Sequence, residues 1–245
     1  MNPALPRLTN KVAVITGGSR GIGFATAVRF LNDGASVAIL GMQPDVLDTA
    51  RAALEALASA GRVAALPCDV RDHDAVTAAL GTAVSRLGGL DILINSAGVG
   101  VFTPVADMSI AQWRQVIDTN LTGVFNGCHA ALPHLRRRGG GWIINISSLA
   151  STSGFASGAA YCASKSAVNA FSEALMQEVR HEGIRVSCVL PGSVNTGFGG
   201  HGRSTSEWAL MPEDVAEVIA DLVGHPSRSL PSRVDIRPAQ PQKKG

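Results

Sequence analysis

Residues 12–40 begin Val12-Ala13-Val14-Ile15-Thr16, continue Gly17-Gly18-Ser19-Arg20-Gly21-Ile22-Gly23 and Phe24-Ala25-Thr26-Ala27-Val28-Arg29-Phe30-Leu31, and close, after a short turn, on Ser36-Val37-Ala38-Ile39-Leu40. The first and last five residues are apolar runs of strand length, rich in β-branched side chains. Between them, residues 21–31 repeat their apolar positions at helical spacing. Strand, glycine-rich turn, helix and strand make one βαβ unit. Strands apolar on both faces must be covered on both faces, so the sheet is parallel and lies between two helical layers. The alternation continues as helix 45–60, strand 62–66, helix 72–87, strand 90–95, helix 109–137, strand 142–147, helix 157–182, strand 184–190, helix 212–223 and a short strand 233–236. The fold class is therefore α/β: one doubly wound domain over residues 1–245, with a mostly parallel seven-stranded sheet. Residues 238–245 read as a loose tail.

Composition narrows the function. The 245 residues are 46% hydrophobic and 16% charged, with 21 basic against 19 acidic side chains. So apolar a chain, with a net charge of +2, is not disordered, and it has no basic surface for nucleic acid or anionic lipid. The one basic run, Arg136-Arg137-Arg138, follows Pro133 and reads as a solvated helix end opposing the helix dipole. Cys68, Cys128, Cys162 and Cys188 form no CxxC pair, so neither a metal site nor a disulfide framework is expected. His129, His134, His181 and His225 have no recognisable partner in the sequence. No segment resembles a signal peptide or a membrane span, and the expected setting is cytoplasmic.

Ligands of doubly wound sheets sit beyond the carboxyl ends of the strands, where the strand order reverses. Glycine and polar residues follow strands at four places: residues 16–23, Asn95-Ser96-Ala97-Gly98, Ser147-Ser148, and Pro191-Gly192-Ser193-Val194-Asn195-Thr196. The first lets backbone approach a pyrophosphate, which the N–H groups and dipole of the following helix would hold. Its spacing, Gly17-x3-Gly21-x-Gly23, differs from the usual GxGxxG. Gly17 to Gly21 also spell G-x-S-x-G, the nucleophile elbow of a hydrolase, but no earlier strand and loop precede it to supply an oxyanion-hole donor.

Tyr161-Cys162-Ala163-Ser164-Lys165, with Ser148 thirteen residues upstream, resembles the signature of the short-chain dehydrogenase/reductase family in its single-domain branch. The resemblance covers nearly the whole chain. Residues 16–23 match TGxxxGxG, and Asp69-Val70, Asn95-Ser96-Ala97-Gly98, Asn120, Ser148, Tyr161 with Lys165, and Pro191-Gly192 follow in order. Two positions depart from the pattern: Ser96 replaces a second asparagine, and Gly41-Met42 stands where a cofactor-selecting residue normally sits.

The resemblance implies a Rossmann-type oxidoreductase that moves hydride between a nicotinamide cofactor and a ketone or secondary alcohol. It implies catalytic roles for Asn120, Ser148, Tyr161 and Lys165, with Asn120 holding a water that passes protons to Lys165. It implies cofactor contacts from Gly17, Ser19, Arg20, Gly21, Ile22, Gly23, Asp69, Val70, Asn95, Ala97, Gly98, Tyr161, Lys165, Pro191, Gly192, Val194 and Thr196. The chain is similar to 3-oxoacyl-carrier-protein reductases, which makes β-keto thioesters one candidate substrate among other small carbonyl or alcohol compounds. Residues 197–211 would form a mobile lid, with Phe155, Phe198, Trp208 and Met211 as apolar contacts. Helices 109–137 and 157–182 would pair across a two-fold axis in a homodimer or homotetramer.

The side-chain chemistry supports these roles. Tyr161 and Lys165 share a helix face at i and i+4. A tyrosine with a pKa of about 10 is a poor proton shuttle at neutral pH, and a nearby ammonium is expected to lower that value. Ser148 can hydrogen-bond a carbonyl oxygen as it gains charge. Ser147 is as suitable chemically, but strand alternation turns it the other way. Asp69 is suited to cap the following helix, the resemblance places it against the adenine, and the two readings are compatible. With Gly41 in place of a carboxylate and Arg20 beside the phosphate turn, NADP(H) is expected over NAD(H). The alternative is a dinucleotide-binding sensor that has lost catalysis.

Overall fold

A computed structural model describes residues 7–200 and 208–240. Seven strands form one sheet in the order β3-β2-β1-β4-β5-β6-β7, all parallel. They are β1 Val12–Thr16, β2 Ser36–Gly41, β3 Val63–Pro67, β4 Ile92–Asn95, β5 Gly141–Ile146, β6 Ile184–Pro191 and β7 Arg233–Ile236. The helices are α1 Gly21–Asn32, α2 Pro44–Glu55, α3 His73–Leu87, α4 Ile110–Ile117, α5 Gly123–Arg137, α6 Ala159–Val179 and α7 Pro212–Val223.

Strand alternation divides the core into two layers. Val14, Leu93, Ile143 and Val186 face α3, α5 and α6, where they meet Leu80, Leu135 and Val168. Ala13, Ile15, Ile94 and Ile144 face α1, α2 and α7, against Phe30, Leu54 and Ile219. The chain runs outward through β2 and β3, then crosses back so that β4 pairs with β1, Thr16 beside Asn95. That reversal opens a crevice between the ends of β1 and β4, which positions the site.

Four sequence expectations need correction. Helix 45–60 stops at Glu55, because Leu54 is its last buried anchor and Leu57 is half exposed. The single helix 109–137 is two helices joined by a π-turn, Asp118–Thr122. Helix 157–182 begins at Ala159, because Ser157 takes a left-handed φ of 64°, and its last residues, Arg180–Glu182, tighten to a 3-10 turn. The basic run is not simply solvated: Arg136 pairs with Glu182, Arg137 with His134, and Arg138 with Asp91.

Asp91 ties the lower end of the sheet together. Its buried carboxylate accepts from Val12 N at 3.0 Å, Arg138 at 2.8 Å and Lys11 at 3.2 Å. Burial pushes this carboxyl up, yet its hydrogen bonds prevail and hold it below the usual carboxylate range. All four cysteines are free, and burial raises the Cys68 thiol to about 11 and the Cys128 thiol to about 12. Among the described residues no helix is long and apolar enough to cross a membrane. Residues 201–207, the middle of the expected lid, lie outside the described residues, as do 241–245 of the expected tail. Pro238, at the start of that tail, packs on Gly192.

Candidate active site

The crevice is built from backbone that carries no side chain. Gly17 has φ +64°, and a Cβ there would stand 2.8 Å from Ala97 Cα; a Cβ on Gly23 would stand 2.5 Å from the Gly17 carbonyl oxygen. Side chains at either position would push the turn off the sheet. Thr16 completes the join, its hydroxyl accepting from Ser96 N and Ala97 N at 3.2 Å each. Helix α1 then starts with Arg20 as N-cap and no side chain capping its first amides. Open N–H groups beside a glycine cradle fit the pyrophosphate of a dinucleotide. Ser19 lies against Gly41 at the end of β2, and Ile22 packs into the α1 layer of the core.

The other walls come from strand ends. Thr196 reaches across to Gly21, its methyl 3.2 Å from where a Cβ would be. Pro191 ends β6, Gly192 donates its N–H to Ile236 O at 2.8 Å, and Val194 bridges Leu210. Gly98 faces Asn120 and Lys165 at 3.3 and 3.6 Å from its would-be Cβ. Val70 is buried against Gly123 at the far side of the crevice.

Tyr161, on the first turns of α6, stands beside Ser148 at the end of β5, and Ser148 pulls the phenol down against the rise that burial causes. Ser148 Oγ accepts from Ala150 N at 3.1 Å. Ser147 turns inward, donating to the backbone carbonyl of Lys165 at 3.0 Å. Lys165 is buried one turn beyond Tyr161, with Nζ 5.8 Å from the phenol ring centroid, and donates to Ile146 O at 2.8 Å.

Three site expectations are corrected by this geometry. Lys165 does not lower the Tyr161 pKa here: burial raises the phenol and outweighs the opposing pull of Ser148. The same burial pulls Lys165 down to about 8, so the charge that should favour a phenolate is itself weakened. Asn95 sends its side chain into the core, donating to Asn145 Oδ1 at 2.8 Å and to Cys128 Sγ, so only its backbone can face a cofactor. Asp69 is not a helix cap; Asp72 caps α3, and Asp69 is gripped by Arg71 at 2.6 Å, whose hydrogen bond holds its carboxyl below the usual range. Asn120 lies in the π-turn with its side chain engaged. It accepts from Val99 N at 2.8 Å and donates to Val99 O and Ser164 Oγ.

Several of these groups were not evident from sequence. Ser164 donates to Tyr161 O at 2.8 Å, so Asn120 and Ser164 together brace the turn that carries the phenol. The sequence held one signal for it: Ser164 lies inside the YxxxK motif. His129 has a partner after all, His73 at 3.0 Å across α3 and α5; His134 bonds Arg137 and His225 bonds Ser229. None of these pairs includes Ser19, so among the described residues the nucleophile-elbow reading finds no base.

A family model for short chain dehydrogenases matches residues 11–207. The chain belongs to that family. As a short-chain dehydrogenase it is 37% identical over 189 residues to a 3alpha-hydroxysteroid dehydrogenase of Mediterraneibacter gnavus, covering 77% of this chain and 76% of that protein. It is 32% identical to an uncharacterized oxidoreductase of Staphylococcus aureus strain USA300, covering 94% of this chain and 98% of the relative. Among solved structures, it resembles a metagenomic short-chain oxidoreductase in complex with NADP, at a TM-score of 0.83 and 34% identity over 96% of this chain and all of that one. It also resembles an alcohol dehydrogenase of the archaeon Thermococcus sibiricus complexed with 5-hydroxy-NADP, at a TM-score of 0.87 and 28% identity over 96% of this chain and 99% of that one.

Buried Lys165 makes the stability of this dehydrogenase depend on pH. The folded protein releases its proton near 8, against 10.5 for an unburied lysine. Burial penalises the ammonium fully below about pH 8, and the penalty fades as pH rises toward the unfolded value, so stability rises through that window. Lys165→Met should flatten the rise. Denaturant unfolding at about pH 7.5 and about pH 10 measures it; an equal slope in variant and wild type would assign the effect to other groups.

Proposed function

We propose that the chain is an NADP(H)-dependent carbonyl reductase or alcohol dehydrogenase acting on a ketone or secondary alcohol. The observation that carries this reading is the convergence of Tyr161, on α6, and Ser148, at the end of β5, with the buried Lys165, whose Nζ lies 5.8 Å from the phenol ring centroid. When bound, the nicotinamide supplies the hydride. Ser148 holds the carbonyl oxygen as negative charge grows on it, and Tyr161 delivers the proton to that oxygen. Lys165, once turned from Ile146 O toward the ribose hydroxyls, brings its charge beside the phenol and favours proton release. Asn120 is a positioning residue that keeps the phenol-bearing turn in place through Ser164.

Gly17, Ser19, Gly21, Ile22, Gly23, Ala97, Gly98, Pro191, Gly192, Val194 and Thr196 would line the dinucleotide, with Asp69 and Val70 at the adenine. Gly41 presents no carboxylate to repel a 2′-phosphate, and the exposed Arg20 stands at the start of α1. Both solved neighbours named above carry NADP or a derivative. Together these support NADP(H) over NAD(H). We further infer a homodimer or homotetramer assembled through α5 and α6, where Phe125 remains 47% exposed and meets Phe171 edge-on.

Tyr161→Phe removes the transferable proton and leaves the ring. It should reduce ketone-dependent NADPH oxidation by about 10²-fold or more while cofactor binding persists. Wild-type turnover in that variant would sink the mechanism. Cofactor binding without turnover of any ketone or alcohol by the wild type would favour the sensor. Arg20→Ala should raise KM for NADPH about tenfold and leave KM for NADH nearly unchanged, since a charge-assisted contact contributes about 1.5–3 kcal/mol. A wild-type enzyme with higher kcat/KM for NADH would overturn the cofactor assignment. Light scattering should return a multiple of 25.3 kDa; a single-chain mass at micromolar concentration would rule out the assembly.

A further inference from the structure

Three phenylalanines from three different loops cluster at Tyr161, two of them against its ring and the third against one of those two. Phe102, on the loop after β4, meets Tyr161 edge-on, with centroids 5.7 Å apart and planes at 73°. Phe198, on the loop after β6, lies 5.6 Å from the same ring. Phe155, on the loop after β5, closes on Phe102 at 5.8 Å. All three are exposed for such large apolar groups, at 36%, 37% and 50% respectively. Gly100 makes their convergence possible, since a Cβ there would stand 2.6 Å from the Phe198 ring and 2.8 Å from Phe102. Across residues 96–109, 147–158 and 191–200, the described parts of these loops, the one charged side chain is Asp107. Those described parts hold no cation to receive a carboxylate or phosphate. Clustered, exposed aromatic groups in a concave site are contact surface for a ligand.

We propose that Phe102, Phe155 and Phe198 form a specificity subsite for ketones, or the corresponding alcohols, that carry a planar apolar ring system beside the carbonyl. This rests on the carbonyl-reductase reading above. With the oxygen held by Ser148 and Tyr161, the ring system would lie along Phe102 and Phe155, where offset and edge-on contacts favour flat partners. Phe198, at the base of the lid segment, would cover it. An acyclic aliphatic ketone would touch fewer of these rings, and an anionic keto acid would meet apolar surface and Asp107.

Steady-state NADPH oxidation by the full chain tests this with 2-acetylnaphthalene, 3-hexanone and acetoacetate as substrates. The expected kcat/KM order places 2-acetylnaphthalene about tenfold or more above the other two. Phe102→Ala and Phe155→Ala should each lower the ratio of 2-acetylnaphthalene to 3-hexanone by about three- to tenfold. Both side chains are part exposed, so their truncation leaves the core in place. Calorimetric titration with 2-naphthol, which has no carbonyl, gives a second readout. It should bind saturably to the wild type and more weakly to Phe155→Ala. Equal or better turnover of 3-hexanone or acetoacetate, or a ratio unchanged in both variants, would overturn the subsite. So would an absence of saturable 2-naphthol binding. If no ketone is turned over and 2-naphthol still binds, the reductase reading fails and the aromatic subsite stands.

Discussion

The carboxyl ends of β1 and β4 meet across one small side chain, the hydroxyl of Thr16. Thr16 donates nothing there; its oxygen receives two consecutive backbone N–H groups from the neighbouring strand end, and Gly17 lies directly on Ala97. A Cβ at either glycine of the turn would force the strand end and the helix start apart. Because the contact is tight, α1 begins where its uncapped amides border the crevice, and Thr196 comes to rest beside Gly21. A single close approach of backbones thus fixes both the sheet reversal and the anion cradle.

The chemistry beside that cradle depends on how burial and charge compete. Tyr161 and Lys165 are both shielded from water, and each is pushed away from its charged form. The attraction expected between phenolate and ammonium does not win in this arrangement, because the ammonium is bonded to Ile146 O and is itself weakened. Partners that draw Lys165 toward the crevice would shift that balance. Neighbouring side chains bond to one another, Asn120 to Val99 and Ser164 and Asn145 to Asn95 and Ser172. Buried networks of this kind give one geometry rather than several.

The strands and most helices were legible because their apolar periods are long and uninterrupted. The glycine turn and the Tyr161–Lys165 pair were legible because their spacing is local. What escaped the sequence was set by residues far apart in the chain. The turn at Asp118–Thr122 has no sequence signature, since it exists to carry Asn120 to Val99 and Ser164, which are 21 and 44 positions away. The inward direction of Asn95 is decided by Asn145 on the next strand, and the partner of His129 lies on another helix. The fate of Lys165 is a matter of burial, which no motif records.

The π-turn between α4 and α5 holds one residue more than a regular turn would. Each residue advances a helix by about 100°, so the extra one rotates everything after it relative to everything before it. The two segments therefore have independent phase. Helix α4 can present Ile110 and Trp113 outward while α5 directs Gly123, Gly127 and Ala131 onto the sheet, and neither choice constrains the other. A continuous helix of the same length would have to trade one orientation against the other. The irregular turn is what lets a rigid rod serve two surfaces that do not share an angle.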